Sequence, residues 1–215
     1  MGFSLMTQVF PFFLEAALVT LEITVLALAL GLVLATLATA ARLARSKLLR
    51  FVGSAYVSVF RGTPCLLQLF ILYYGGPQIG IDLDPFTAGA IGLGINVGAY
   101  LAEAMRGAIL TVDKGQTEAA RSIGFARGQT MRLVVLPQAG RLMIRSIGVN
   151  TIMLLKGSSL VSAISVVELT YTAQRFIGST YRPFEIFAVS AAIYMVLVYL
   201  LARLIDALDA RFALK

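Results

Sequence analysis

Few side chains in this sequence could do chemistry, and three of the charged ones lie inside apolar runs. These are Glu22, Arg61 and Lys156. The chain has no His and a single Cys, Cys65, which excludes a catalytic imidazole, a His-bound metal and a metal site built on paired cysteines. Ionisable groups inside apolar spans are costly, and they mark substrate pathways or internal ion pairs. The sequence therefore predicts a polar route through a membrane, with no catalytic residue and no metal site.

Glu22 is the clearest candidate for a substrate contact. It is the eleventh residue of the apolar run from Phe12 to Ala40, which places it about 16 Å into a straight helix, near the bilayer midplane. A carboxylate at that depth suits an ammonium or guanidinium group. The same carboxylate could instead form a structural ion pair with Arg61 or Lys156, and the sequence leaves both interpretations open.

A second candidate is the interruption of the next apolar run at Arg61-Gly62-Thr63-Pro64. Pro64 has no N–H and disfavours helical geometry at Thr63. Free backbone groups at membrane depth are tolerated only against protein or a water-filled cavity. Broken helices often bind substrate in transporters, although a simple proline kink explains the same pattern.

The third apolar run carries polar residues on one face and small residues on another. The small residues recur every four positions and predict close helix packing: Ala90, Gly94, Gly98 and Ala102. Asn96 and Tyr100 are also four apart and could contact a substrate or a neighbouring helix. Glu103 and Arg106 have the spacing of a helical ion pair, and we interpret them as a structural or gating pair at the cytoplasmic mouth.

Membrane-spanning helices must position these residues. Of the 215 residues, 59% are hydrophobic and 13% are charged, and the mean hydropathy is +0.86. A soluble chain has about a quarter of its residues charged, and a spanning helix needs about 20 apolar residues. The sequence predicts an all-α membrane protein with one transmembrane domain, 1–215, whose five spans cover about 12–40, 51–74, 86–105, 143–167 and 184–204.

Loop charges predict the orientation of these spans. The segments Arg42–Arg50, Arg106–Arg145 and the tail from Arg203 carry four, seven and three of the 18 Lys and Arg residues. The positive-inside rule places these segments in the cytoplasm. The N-terminus is then outside and the C-terminus inside. The net charge of +7 reflects this topology and predicts lipid contact, not nucleic-acid binding.

The long loop at about 106–142 predicts two short helices. One covers Gln116–Ile123 and ends at Gly124, and the other covers Arg127–Val135 and ends at Pro137. A loop of this length in a compact protein is usually functional. It could dock onto a partner or lie as a basic helix on the anionic lipid surface.

The same loop resembles the EAA motif of permease subunits in bacterial ABC importers. The matching residues are Glu118, Ala119, Ala120, Gly124, Val134, Leu136 and Pro137. Val134 replaces the usual Ile, and the fixed offsets make the match specific. The resemblance implies a type I ABC importer architecture in a bacterial cytoplasmic (inner) membrane. This loop is then the coupling helix that docks onto a separate ATPase.

The resemblance covers nearly the whole chain and extends to the polar amino acid branch of these permeases. Segments that carry it begin at Phe60, Gln68, Ala99, Lys114, Leu154 and Val166. One departure is Gly157-Ser158-Ser159 where the family usually has Asp-Thr-Ser, so any role of that Asp is absent. The resemblance favours a pathway role for Gly62, Thr63 and Gln68. It implies import of basic, acidic or amide amino acids, or opines, and Glu22 favours the basic ones.

The expected protein is a transport subunit and not an enzyme. No phosphate-binding GxxxxGK[ST] loop occurs, so the chain itself needs no cofactor, and ATP and Mg²⁺ belong to a partner ATPase dimer. The other expected partners are a second permease subunit, identical or paralogous, and a periplasmic or extracellular substrate-binding protein. A passive channel or carrier for small polar solutes is the alternative. An intramembrane enzyme is disfavoured because no nucleophile–base set is available.

Overall fold

The chain folds into helices, as described by a computed structural model for the backbone of residues 2–212 and the side chains of residues 9–211. No strand occurs among these residues. The α-helices in chain order are α1 (Gly2–Leu43), α2 (Lys47–Gly62), α3 (Cys65–Phe70), α4 (Pro85–Thr111), α5 (Lys114–Ser122), α6 (Arg127–Thr130), α7 (Leu136–Gly157), α8 (Leu169–Thr180) and α9 (Pro183–Phe212). Two π-helical turns, Ile71–Gly75 and Met131–Val135, and two 3₁₀ segments, Gly76–Ile79 and Ser158–Ile164, connect them.

Four helical segments of the described chain are long and apolar enough to cross a membrane. They are Val9–Leu43, Pro85–Thr111, Arg127–Ile164 and Pro183–Arg211. Lys47–Gly62 and Cys65–Ile79 meet at a bend of 104° and make a fifth span when the bent pair is counted as one crossing. The predicted all-α membrane fold is confirmed, with the predicted second span divided between two helices.

The α1–α4 seam is held by close backbone approach between small residues. A methyl group at Gly94 would lie 3.1 Å from the Ala27 carbonyl oxygen, and one at Gly98 would lie 3.1 Å from the Gly31 carbonyl oxygen. Small residues permit such close contact between spans. In lipid no hydrophobic driving force acts between helices, so dispersion contacts stabilise their packing. The small-residue stripe on α4 is therefore a packing surface, as its spacing predicted.

A second core joins the first part of α1 to α8 and α9. Its fully buried side chains include Phe13, Leu169 and Ile186. Glu168 begins α8 and is also fully buried; its carboxylate accepts hydrogen bonds from the Tyr171 N–H (2.8 Å) and the Tyr194 hydroxyl (2.7 Å). Burial raises the pKa of Glu168, because desolvation penalises the charged form.

One predicted helix end in the long loop is wrong. The second loop helix does not stop at Pro137: α6 continues through the π-helical turn Met131–Val135 directly into α7. Pro137 falls in the first turn of α7, where a missing N–H removes no α-helical hydrogen bond. A π turn changes the hydrogen-bond register just before it, so the helical path runs from Arg127 to Ile164 and begins well before residue 143.

Candidate functional site

The break in the second span is an extended two-residue step between α2 and α3. Thr63 has φ −121° and ψ 148°, and Pro64 has φ −62° and ψ 132°. Because Pro64 has no N–H, the carbonyl of Phe60 loses the donor that a continuous helix would supply. A carbonyl without a donor is expensive at membrane depth, so this one needs a partner from elsewhere.

Two side-chain amides provide that partner. The Phe60 carbonyl accepts hydrogen bonds from Gln68 Nε2 (3.1 Å) and from Asn96 Nδ2 (3.0 Å). Asn96 Nδ2 also donates to Gln68 Oε1 (2.9 Å), and Gln68 Nε2 lies 2.7 Å from Thr63 Oγ1. The structure thus brings together Thr63, Gln68 and Asn96, three of the six predicted pathway residues, in what we call the break network.

The break network lies beside a cavity of about 160 Å³, which we call the Asn96 cavity. Its lining includes Cys65, Asn96, Tyr100, Asn150 and Gly157, together with apolar residues, and no charged side chain. It can therefore offer amide and hydroxyl hydrogen bonds to a small polar molecule but no counter-charge. Gly157, the position where the family pattern has Asp, is part of this wall.

Glu22 lies apart from the other predicted pathway residues. Its side chain is exposed on α1 next to the fully buried Ile23, and it is not among the residues that line the Asn96 cavity. Within the described residues it pairs with neither Arg61 nor Lys156: Arg61 instead contacts Glu103, and Lys156 has no acid within 4.0 Å. The alternative of a structural ion pair for Glu22 therefore does not hold in this structure.

Gly62, another predicted pathway residue, is the last residue of α2 and has open space beside its Cα.

Glu103 is the centre of a charge cluster that joins three helices. Its carboxylate contacts Arg42 Nη1 of α1 (2.6 Å), Arg106 Nη2 of α4 (3.2 Å) and Arg61 Nη1 of α2 (3.6 Å). Arg61 also lies over the Tyr100 ring, 5.3 Å from its centroid. The predicted Glu103–Arg106 pair is confirmed, and the sequence missed Arg42 and Arg61 because their contacts cross between helices.

A larger cavity of about 860 Å³ opens between α4, α7 and the end of α9. Charged side chains in its wall are Arg141, Arg145 and Asp209, the last two joined by a 2.7 Å ion pair. Asn150 lines both this cavity and the Asn96 cavity. Asn150 was not predicted as a pathway residue, although a lone amide within the apolar stretch after Met143 was the available signal.

The residues of the EAA pattern form the tip of the long loop. Asp113 caps α5 by accepting a hydrogen bond from the Gly115 N–H (2.7 Å). Glu118 and Ala119 are exposed, whereas Ala120 is buried. Gly124 has φ +94°, a left-handed conformation that L side chains rarely adopt, and it ends α5 as predicted.

Apolar side chains surround this tip without cover in the single chain. Ile123 is 73% exposed and Leu133 is 58% exposed, next to the exposed Leu136 and Pro137. Exposed apolar groups rimmed by polar residues are typical of interaction sites. Ile123 and Leu133 were not predicted as contact residues, because their exposure depends on how the loop folds.

The architecture is that of a type I ABC importer permease. It combines a membrane-spanning helical bundle with a polar break, a small-residue seam and an exposed two-helix loop. The chain belongs to the family described as "Binding-protein-dependent transport system inner membrane component", whose model matches residues 27–214. It is therefore a multi-pass inner-membrane protein, and the resemblance stated from its motifs is confirmed.

The chain is similar over most of its length to permease proteins of amino acid and opine transport systems. It is 38% identical over 203 residues to the glutamine transport system permease protein GlnP of Escherichia coli (strain K12), covering 94% of this chain and 93% of the relative. It is 40% identical over 193 residues to the octopine transport system permease protein OccM of Rhizobium meliloti, covering 86% and 79%. The crystal structure of an amino acid ABC transporter with histidines contains a chain that is 37% identical, with a TM-score of 0.91 and 96% of each chain covered.

Proposed function

We propose that this chain is the permease subunit of an ATP-driven importer of polar amino acids or opines. It forms the translocation pathway with a second permease subunit, identical or paralogous. A periplasmic or extracellular binding protein delivers the substrate, and a dimeric ABC ATPase, which binds ATP and Mg²⁺, drives transport. The observation that carries the proposal is one continuous helical path, Arg127–Ile164, that joins the exposed loop to the wall of the Asn96 cavity.

The loop tip is the ATPase-docking surface in this proposal. Glu118 and Ala119 face outward, and Ile123 projects beside them with 73% of its surface exposed. A small side chain permits close approach, and an exposed apolar residue gains free energy when a partner covers it. The competing role as a lipid-surface helix has weaker support, because it does not explain the fixed offsets of the EAA pattern from Glu118 to Pro137.

The orientation follows from charge. The loop tip and the positively charged ends of α1 and α9 face the cytoplasm, and the N-terminus and α8 lie on the outer side. Glu103 and its arginines then lie at the cytoplasmic mouth, below the break network.

The structure supports two substrate classes within the polar amino acids. A cationic amino acid or opine is favoured by Glu22, an exposed carboxylate near the middle of α1. A neutral amide amino acid is favoured by the Asn96 cavity, whose polar lining includes Asn96, Tyr100 and Asn150 and no acid. Uptake of labelled arginine, octopine and glutamine by the complete reconstituted transporter separates these two classes.

The test of the proposed function is ATP hydrolysis by the chain reconstituted with its ATPase and binding protein. We expect stimulation by a polar amino acid or opine that is bound to the binding protein. A transporter that moves these solutes without ATP would support the channel or carrier alternative instead, and no stimulation by any of them would refute the proposal.

Docking is tested by Glu118→Ala, with Glu185→Ala as a matched control. Both carboxylates are exposed, but Glu185 lies at the start of α9, away from the loop. We expect Glu118→Ala to reduce coupled uptake while leaving the yield of folded protein unchanged, and Glu185→Ala to behave as wild type. Equal uptake in both variants would contradict the docking role of Glu118.

A further inference from the structure

One face of α1 carries two carboxylates at membrane depth. Phe12, Glu15, Val19 and Glu22 lie at intervals of three or four residues, so they form a single line along the helix, which we call the acidic stripe. Glu15 and Glu22 are seven residues apart, which is about 10.5 Å along the axis. Both are exposed in the single chain.

Neither carboxylate has a partner within the described residues. No Lys or Arg nitrogen lies within 4.0 Å of Glu15 or Glu22 in that part of the chain. Unpaired carboxylates are too costly to face hydrocarbon, and in membrane proteins they face a bundle interior or a water-filled space. The acidic stripe therefore borders a polar space and not lipid.

The upper part of the stripe forms one wall of a cavity of about 500 Å³, which we call the outer cavity. Phe12, Glu15 and Val19 line it from α1, and Thr172, Arg175 and Ser179 are among the residues that line it from α8. A carboxylate and a guanidinium thus face the same space from two helices. They do not form an ion pair, because no contact of 4.0 Å or less joins them.

The outer cavity also has an apolar side. The rings of Phe12 and Phe176 lie 5.5 Å apart, and Phe176 also stacks against the buried Phe13 at 6.1 Å. Phe176 is fixed by these contacts, whereas Glu15 and Arg175 extend into the open space. The cavity therefore offers one negative group, one positive group and an aromatic surface.

We propose that the outer cavity is an entry site that binds the zwitterionic α-amino acid group of the substrate before it reaches the Asn96 cavity. Glu15 binds the α-ammonium group, Arg175 binds the α-carboxylate with its planar fork, and Phe12 and Phe176 contact the side chain. Glu22, two turns deeper on the same stripe, borders the route inward. This proposal rests on the proposed import of amino acids and adds a site on the outer side.

The test is binding of labelled glutamine and arginine to the permease–ATPase complex without binding protein. Two analogues of glutamine serve as competitors: the methyl ester, which lacks the carboxylate, and 4-carbamoylbutanoic acid, which lacks the α-ammonium group. We expect each analogue to compete at least about tenfold more weakly than glutamine in the wild type, because each has lost one charged contact.

The variants assign each charge to one side chain. Arg175→Gln is expected to weaken glutamine binding about tenfold and to remove the penalty for the ester, while the penalty for the deaminated acid stays. Glu15→Gln is expected to show the reverse pattern. The matched controls are Arg182→Gln and Glu185→Gln, a pair of opposite charges 4.0 Å apart that does not line the outer cavity. If Glu15 or Arg175 had only a structural role, replacing it would weaken the binding of every ligand by the same factor, whichever charged group that ligand lacks.

Several outcomes overturn the entry site. These are no binding of either amino acid to the wild-type complex at millimolar concentration, wild-type affinity in both variants, or equal losses for all ligands. The proposed function is judged separately from ATP hydrolysis by the complete transporter. If that activity responds to substrate while both variants bind glutamine as the wild type does, the entry site fails and the importer stands.

Discussion

The break network and the acidic stripe accommodate polar groups within apolar segments in opposite ways. At the break, Gln68 and Asn96 both donate to the Phe60 carbonyl and Asn96 also donates to Gln68 Oε1, so these hydrogen bonds end within the chain. On the stripe, Glu15 and Glu22 find no cation in the described part of the chain. The first arrangement stabilises an interrupted helix, and the second leaves charge available to a ligand.

This difference distinguishes two roles that a polar residue can have in a span: stabilising the fold or binding a ligand. Both patterns look alike in sequence, because each is a polar residue within an apolar run. A residue whose hydrogen bonds are satisfied internally should affect stability when it is replaced. A residue with no internal partner should affect binding or transport and leave stability almost unchanged. Replacements should therefore give a graded series of losses in the free energy of unfolding, largest where a residue has several internal partners and smallest where it has none.

The largest loss is expected for Glu103→Gln. The change removes the negative charge that three arginine side chains contact and leaves Arg42, Arg61 and Arg106 to repel one another. Loss of one partner from a fully buried pair costs about 3–5 kcal/mol, and we expect about 2–3 kcal/mol here because the Glu103 side chain is 31% exposed. The measurement is unfolding of the purified chain by SDS in detergent micelles.

Asp209→Asn is the control for that variant. It removes the partner of Arg145, whose side chain is 79% exposed, and exposed ion pairs contribute about 0–1 kcal/mol. Equal losses for Glu103→Gln and Asp209→Asn would show that the Glu103 cluster is no more than a surface pair.

The break network is tested by Asn96→Leu and Gln68→Leu. Each single change leaves one donor on the Phe60 carbonyl, so we expect a loss of about 1–2 kcal/mol in the free energy of unfolding. The double variant leaves none, so its loss should exceed that of either single variant, although the Asn96–Gln68 hydrogen bond is already lost in each of them. A double variant no less stable than the single variants would mean that the Phe60 carbonyl does not need these donors, and SDS-induced unfolding measures all three variants.

Much of this fold could be predicted from the sequence. Apolar runs identified the spans, and the spacing of Gly94 and Gly98 identified the α1–α4 seam, because these signals are local and periodic. Pro64 identified the break for the same reason, although the 104° bend depends on packing against α4. Pro137 was misjudged because a proline in a first helical turn and a proline that ends a helix are alike in sequence.

The candidate sites were less predictable, because they depend on contacts between distant helices. Asn96 and Gln68 are 28 residues apart, and their mutual hydrogen bond gives no sequence signal. Glu15 received no attention beside Glu22, since its importance comes from Arg175 on α8, which only the fold places across the same cavity. Glu118 and Gly124 were found because a motif of fixed offsets marks them.

Glu168 is a buried carboxylate that accepts hydrogen bonds but has no Lys or Arg nitrogen within 4.0 Å among residues 9–211. Glu168→Ala should lose about 1–2 kcal/mol, because the Tyr171 N–H and the Tyr194 hydroxyl lose their acceptor. Glu168→Gln keeps an acceptor and should be close to neutral. The raised pKa of Glu168 means that wild-type stability falls as pH rises from the ordinary value of a carboxyl group to the folded-state pKa. The Gln variant should not show that fall, and a pH series of unfolding measurements checks it.

The smallest change in stability is expected for Glu22→Gln and Glu15→Gln. Neither carboxylate has an internal partner in the described chain, so the free energy of unfolding should stay within about 0.5 kcal/mol of the wild type. Uptake by the complete transporter should fall nonetheless, and for Glu22→Gln it should fall more for arginine than for glutamine, because only arginine carries a side-chain charge. Leu21→Thr, an exposed α1 position off the stripe, is the control and should leave uptake unchanged. If Glu22→Gln instead destabilises the chain as much as Asn96→Leu does, Glu22 has a structural partner and the distinction between the two regions fails at that residue.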